Sequence, residues 1–118
     1  QEVGKAINPE AVRGQIQGGV VQGLGYALWE TLQIDAGRYS QRTLEAYGLP
    51  LATDTPEVEI VLLEHPDPAG PYGAKGVAEP PIIPVAAAIG NAVAHAIGKS
   101  VNTIPITAEH VLEALSGS

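Results

Sequence analysis

Asn8-Pro9-Glu10-Ala11-Val12-Arg13-Gly14-Gln15-Ile16-Gln17-Gly18-Gly19-Val20-Val21-Gln22-Gly23-Leu24-Gly25-Tyr26-Ala27-Leu28-Trp29 is the stretch on which the fold turns. Val12, Ile16, Val20, Leu24 and Leu28 recur every four residues, and Ala27 and Trp29 widen the apolar stripe. That spacing predicts a helix over residues 9–33. Asn8 suits the N-cap, and Pro9 suits the first turn, where a missing N–H costs nothing. Five glycines interrupt the pattern: Gly14, Gly18, Gly19, Gly23 and Gly25. Each costs about 1 kcal/mol relative to Ala in a helix interior, so together they cost on the order of 5 kcal/mol. An isolated helix would not carry that cost. Gly14/Gly18 and Gly19/Gly23, each pair one helical turn apart, are therefore expected to pack closely against something. Approach of a ligand to bare backbone is the competing reading, with Gln15, Gln17 and Gln22 as the polar side chains able to meet it. Neither a Gly-x-x-x-x-Gly-Lys-Ser/Thr loop nor a Gly-x-Gly-x-x-Gly turn after a strand is present, so a small nucleotide-binding domain is disfavoured.

Outward from this helix, residues 35–57 carry turn chemistry in Asp35-Ala36-Gly37, Tyr47-Gly48-Leu49-Pro50 and Asp54-Thr55-Pro56. From Glu57 to Glu64, Val58, Ile60 and Leu62 alternate with Glu57, Glu59, Val61 and Leu63. This predicts a strand covered on both sides at its end. His65–Pro84 reads as a loop holding six of the ten prolines, and loops of that length are usually functional when they occur in a folded domain. A second helix is predicted over 85–97, with Val85, Ile89, Ala92, Val93, Ala96 and Ile97 inward and Gly98 as its C-cap. Asn102–Ile106 reads as a short extended piece. Thr107 then caps a last helix carrying Val111, Leu112 and Leu115. The expected class is α+β, a single segment over residues 1–118.

Composition narrows the function. A chain of 118 residues is expected to bury roughly two-thirds of its unfolded surface, which is enough for a modest core. Glycine and proline make up 14 and 10 residues, well above the average of about 12% combined, while hydrophobic content at 45% argues against disorder. There is no Cys, which removes disulfides, thiolate metal sites and thiol nucleophiles. There is also no Met, so the chain is expected to be a piece of a longer protein. A net charge of −7 with only six Lys and Arg disfavours a nucleic-acid partner. The uncharged stretch Pro80–Gly98 is rich in Ala and reads as a buried helix rather than a membrane span.

Among chemical groups, His65, His95 and His110 are too far apart in sequence to form a metal-binding cluster, and no serine sits in a nucleophile elbow. The most unusual segment is Gly70-Pro71-Tyr72-Gly73-Ala74-Lys75-Gly76-Val77-Ala78-Glu79-Pro80-Pro81. Its glycines allow turns and close approach, and Pro80 and Pro81 stiffen the chain directly after Glu79. One carboxylate is thereby held at a rigid point before the helix that begins near Pro84. That position suits a general base. A purely structural carboxylate, capping the helix or pairing with Lys75, is the plainer alternative.

These motifs, taken in order, resemble a known family. Ala6-Ile7-Asn8-Pro9, Gly14-Gln15-Ile16-Gln17-Gly18-Gly19, Gln22-Gly23-Leu24-Gly25, Tyr47-Gly48-Leu49-Pro50 and Gly73-Ala74-Lys75-Gly76-Val77-Ala78-Glu79-Pro80-Pro81 are similar to blocks near the end of the molybdopterin-binding large subunit of the xanthine dehydrogenase/aldehyde oxidase family. The resemblance spans nearly the whole chain. It implies the C-terminal part of a larger cofactor-binding domain, with a Gly-rich helix, a few short strands, a Pro/Gly active-site loop and two terminal helices. It also implies hydroxylation of an N-heterocycle or an aldehyde at a molybdenum-molybdopterin centre, with water supplying the oxygen. Glu79 matches the family's catalytic glutamate and Gln15 its cofactor-contacting glutamine, with Gly14, Lys75 and Gly76 beside the cofactor. No metal ligand is implied within this segment.

The partners implied are the rest of the large subunit and the Fe–S and FAD domains or subunits, in the cytoplasm, with neither nucleic acid nor membrane. The segment by itself is expected to hold no cofactor and to have no turnover. A non-catalytic assembly or interaction module that kept the fold is the alternative. Two positions depart from the family pattern. Ala78 stands where Gly is usual, so a left-handed backbone there would force the loop to adapt, and Gln17 replaces a common Glu.

Overall fold

Helix α1 runs Pro9–Leu28 in the computed structural model, which describes residues 1–117. Its start is local chemistry: the Asn8 side chain accepts from the Ala11 N–H at 3.1 Å and Pro9 occupies the first position. The helix stops at Leu28, five residues short of the predicted 33. Trp29 leaves helical geometry (φ −135°, ψ −41°), and the N–H groups of both Trp29 and Glu30 converge on the Gly25 carbonyl. The Glu30 side chain then folds back over Gly25, where a Cβ would have no room.

The turn-rich region contains more structure than expected. Strands β1 (Ile34–Asp35) and β2 (Arg38–Tyr39) pair antiparallel around Ala36 and Gly37, both with positive φ, as a tight two-residue hairpin turn requires. A one-turn helix α2 (Leu44–Tyr47) follows, capped by Thr43 and closed by Gly48 in the left-handed region. Between Glu57 and Glu64 the alternation is present: Val58, Ile60 and Leu62 are half-buried while Glu57, Glu59, Val61 and Leu63 are exposed. The strand itself is not formed, and its end is not covered on both sides. Leu63 makes a single parallel bridge to Glu2, because only Gln1–Val3 lies alongside to supply backbone partners. Arg13 secures the same segment from α1, donating to the Ile60 carbonyl at 2.7 Å.

The proline-rich loop is ordered by two 3₁₀ turns, Pro71–Gly73 and Pro80–Ile82. Helix α3 (Val85–Ile97) ends as expected at Gly98 in the left-handed conformation. Its burial does not match the expectation. Val85, Ile89, Val93 and Ile97 are only half-buried, Ala92 and Ala96 are exposed, and no residue of α3 is fully buried. One edge of α3 lies on α1, and another borders a cleft shared with residues 100–106, which leaves much of the helix surface open. Residues 102–106 bend rather than extend, with the Ile106 N–H donating to the Ala27 carbonyl at 2.6 Å. Helix α4 (Ala108–Ser116) begins at the Thr107 cap, but Leu112 and Leu115 face outward.

The arrangement is α+β, with α1 central, packed against α3 and the Pro80–Ile82 turn. A self-sufficient core is absent among the described residues: apart from glycines, only Val3, Ile16, Ala27, Pro81 and Ile106 are buried apolar residues. The radius of gyration is 17.7 Å, against about 13.5 Å for a compact domain of this length. The accessible surface is 8182 Å², against about 6,100 Å² for a compact monomer of this mass. The expectation of two-thirds burial fails because the chain is drawn out over an elongated body of 53 × 37 × 27 Å.

Candidate active site

The Gly-rich helix and the proline loop meet at one hydrogen bond. Gln15 on α1 donates through Nε2 to the Ala78 carbonyl at 3.0 Å, 63 residues away in sequence. This bond separates two clefts. On one side, a cleft of about 370 Å³ is lined by Gln15, Gly18, Gln22, Tyr26, Ala78 and Glu79. On the other, a cleft of about 410 Å³ is lined by Asn8, Ala11, Gln15, Lys75, Val77 and Ala78.

Glu79 stands on the rim of the first cleft, exposed, and immediately before the 3₁₀ turn. Its own carbonyl accepts from the Ile82 N–H at 3.0 Å, and Pro81 is buried against Gly19 of α1. The backbone on the C-terminal side of Glu79 is thus fixed by packing rather than by its side chain. The carboxylate caps no helix, and among the described residues nothing hydrogen-bonds or ion-pairs with it. Both structural alternatives therefore lose their support. Lys75 turns away: its ammonium donates to Glu2 Oε2 at 2.6 Å.

The glycines divide into two sets. A Cβ on Gly19 would fall 2.8 Å from Pro81 Cβ, and one on Gly23 would fall 2.5 Å from Val85 Cβ. That pair packs closely, as expected. Gly14 and Gly18 do not, since nothing lies within 4 Å of where their Cβ atoms would be, and the same holds for Gly76. Ala78 needs no left-handed backbone, because Ala36 and Tyr72 are the non-glycine residues with positive φ among those described. The loop accommodates the departure without adapting.

Of the three glutamines on α1, Gln15 and Gln22 reach the cleft and Gln17 does not line it. Gln22 donates to the Tyr26 hydroxyl at 3.1 Å. Sequence reasoning did not single out Tyr26 or Glu2. Tyr26 had a legible signal, lying four residues after Gln22 and eleven after Gln15, on one helical stripe. Glu2 had none within its own neighbourhood. Among the described residues no three His, Cys, Asp or Glu side chains cluster as a metal site. A more apolar cleft of about 450 Å³ lies between Trp29, Leu44, Leu49, Pro50 and Leu51, but Glu79 and Gln15 are not part of it.

Known proteins similar to this chain converge on one group. Residues 1–56 match the family model of a molybdopterin cofactor-binding domain. A putative xanthine dehydrogenase molybdenum-binding subunit from Escherichia coli K12 is 43% identical over 112 residues, which is 93% of this chain and 15% of that subunit. An aldehyde oxidoreductase from Megalodesulfovibrio gigas is 41% identical over 115 residues, covering 97% of this chain and 12% of the relative. Among solved structures, quinoline 2-oxidoreductase from Pseudomonas putida 86 superposes with a TM-score of 0.84 at 36% identity, over 98% of this chain and 15% of that one. Aldehyde oxidoreductase from Desulfovibrio gigas gives 0.85 at 40% identity, over 98% of this chain and 12% of that one. The chain thus spans about one-seventh of the length of the relatives it matches. With nearly all of its sequence and its backbone path matched, the chain belongs to the xanthine dehydrogenase/aldehyde oxidase family of molybdenum hydroxylases.

Proposed function

We propose that this chain is a segment of the molybdenum-cofactor-binding domain that supplies the general base Glu79 and one wall of the cofactor site. The observation that carries this reading is the placement of Glu79: a carboxylate on a backbone fixed by Pro80 and Pro81, at a cleft rim beside Gln15, with no protein partner. A side chain spent on structure would have one. A base must instead keep its oxygen free for the proton it takes.

The residues fit a molybdenum-molybdopterin group. Gly14, Gly18 and Gly76 leave bare backbone where a side chain would fill the space. Among the described residues, nothing accepts from the N–H groups of Gly76, Val77, Ala78 or Glu79. The Gln15 amide keeps its oxygen and one N–H for a heterocycle edge. Gly14, Gln15, Lys75 and Gly76 are the proposed contacts, with Lys75 contributing its aliphatic stem. When bound, the metal supplies a Lewis acid and an electron sink. Glu79 would accept the proton released as a water-derived oxygen replaces hydrogen at an electron-poor carbon, the electron pair of the broken C–H bond going to the metal centre. Gln15 keeps the base-bearing loop against α1 through the Ala78 carbonyl.

The proposed substrates are N-heterocycles or aldehydes. The proposed partners are the rest of the molybdenum-binding subunit and the Fe–S and FAD units that carry electrons away. In this reading the segment alone has no turnover, and the location is cytoplasmic. Glu79→Gln in the complete enzyme keeps the shape of the side chain and removes the base. Turnover is expected to fall by about 10²–10⁴-fold with molybdenum content unchanged. Near-normal turnover would instead favour a non-catalytic interaction module, a reading that draws on the exposed apolar surface of α3.

A further inference from the structure

Glu2 ties together three parts of the chain that are far apart in sequence. Its Oε1 accepts from the Gly4 N–H at 2.8 Å and from the His65 N–H at 3.2 Å, and its Oε2 accepts from Lys75 Nζ at 2.6 Å. Backbone bonds reinforce the junction: Lys75 N–H donates to the Val3 carbonyl at 3.0 Å, and Lys5 N–H to the Gly73 carbonyl at 2.9 Å. Gly4, buried with φ +67°, permits this approach, since a Cβ there would strike the Gly73 carbonyl and the Lys75 nitrogen. Beyond Lys75 the restraint changes character. Residues 76–79 donate no backbone hydrogen bond to any described residue, and chain order resumes only at Pro81 against Gly19. The segment that ends in Glu79 is therefore a short span hung between two fixed points, with the Gln15–Ala78 bond as its one intermediate tie.

We infer that Glu2 and Lys75 are positioning residues, whose ion pair fixes the upstream end of this span and so sets where the Glu79 carboxylate stands. The inference rests on the reading of Glu79 as the base. As an energy source the pair is unremarkable, because both side chains are about a third exposed. Its value is geometric: the ammonium and the carboxylate hold Lys75 at a defined distance from the segment that also anchors His65. A small displacement of a reacting group lowers rate far more than it lowers stability.

The test uses the complete enzyme carrying Glu2→Gln, Lys75→Met and the conservative Lys75→Arg. In Glu2→Gln and Lys75→Met kcat is expected to fall about 10- to 100-fold with KM and molybdenum content unchanged. Amide hydrogen exchange across 76–79 is expected to rise about tenfold. Lys75→Arg, which keeps the cation facing Glu2, is expected to retain most of both properties. Should Glu2→Gln fail to accumulate, Lys75→Met and Glu2→Asp carry the same readouts. Unchanged kcat and unchanged exchange would overturn the inference, and so would a loss of kcat that only tracks lost molybdenum. Normal turnover in Glu79→Gln would sink the reading of the base instead, while exchange at 76–79 would still report the clamp.

Discussion

Helix α1 presents glycine on two faces, and the two sets of glycines do different work. Gly19 and Gly23 are buried under Pro81 and Val85, where the missing Cβ lets the 3₁₀ turn and α3 come close. Gly14 and Gly18, one turn away on the other side, touch nothing. Helix propensity penalises both sets equally, at about 1 kcal/mol per residue. Packing offsets that cost only on the first face. On the second, no contact within the chain explains why Ala was not used, and Gly18 lines the cleft with Gln15 and Glu79, where Gly19 of the packed pair also reaches the wall. Glycine in a helix thus has to be read by what its absent side chain would meet.

The packed face should break first. Gly23→Ala drives a methyl to 2.5 Å from Val85 Cβ, so α3 must move off α1. Overpacking of this kind costs about 1–3 kcal/mol, which outweighs the propensity gain. The urea midpoint of the complete subunit is expected to fall accordingly. Gly19→Ala meets Pro81 at 2.8 Å and should cost less stability. It should nevertheless lower turnover, since Pro81 holds the backbone just after Glu79. On the open face, Gln15→Ala removes the donor to the Ala78 carbonyl, a loss of about 1 kcal/mol in loop docking. Amide exchange at 76–79 should report it with little change in the global midpoint.

The smallest effect concerns pH. The hydrogen bond from Lys75, followed by that from Gly4, lowers the Glu2 carboxyl from the usual 4.5 to about 2. A folded-state value below the unfolded one means that the contribution is complete above about pH 4.5 and is lost as the pH falls toward 2. The difference in melting temperature between wild type and Glu2→Gln should therefore be constant near neutrality and shrink below pH 4.5.

What could be read from the sequence follows from the range of each interaction. Asn8, Gly98 and Thr107 mark helix ends because each cap acts within a few residues, and all three do so in the structure. The stiff backbone after Glu79 was legible because Pro80 and Pro81 announce it, and the structure has a 3₁₀ turn there. The short helix α2 was missed although Thr43 and Gly48 bracket it, since one turn offers no periodicity to detect. The strand at 57–64 failed for another reason. Alternation reports which face is covered, whereas a strand also needs a neighbour, and here only Gln1–Val3 is present. Glu2 was invisible because its partner Lys75 is 73 residues away, and nothing local to either residue points to the other. The outward side of α3 was misread because apolar alanine signals tolerance of burial and does not show what does the burying.

The division of labour along α1 is tested most directly by substituting its two adjacent glycines separately in the complete enzyme. Gly18→Ala and Gly19→Ala are to be compared by unfolding midpoint after cofactor removal and by molybdenum content before it. The account predicts that Gly18→Ala gains up to about 1 kcal/mol in the cofactor-free protein and loses molybdenum. It predicts that Gly19→Ala loses stability and retains the metal. Full molybdenum content in Gly18→Ala, or undiminished stability in Gly19→Ala, would contradict it.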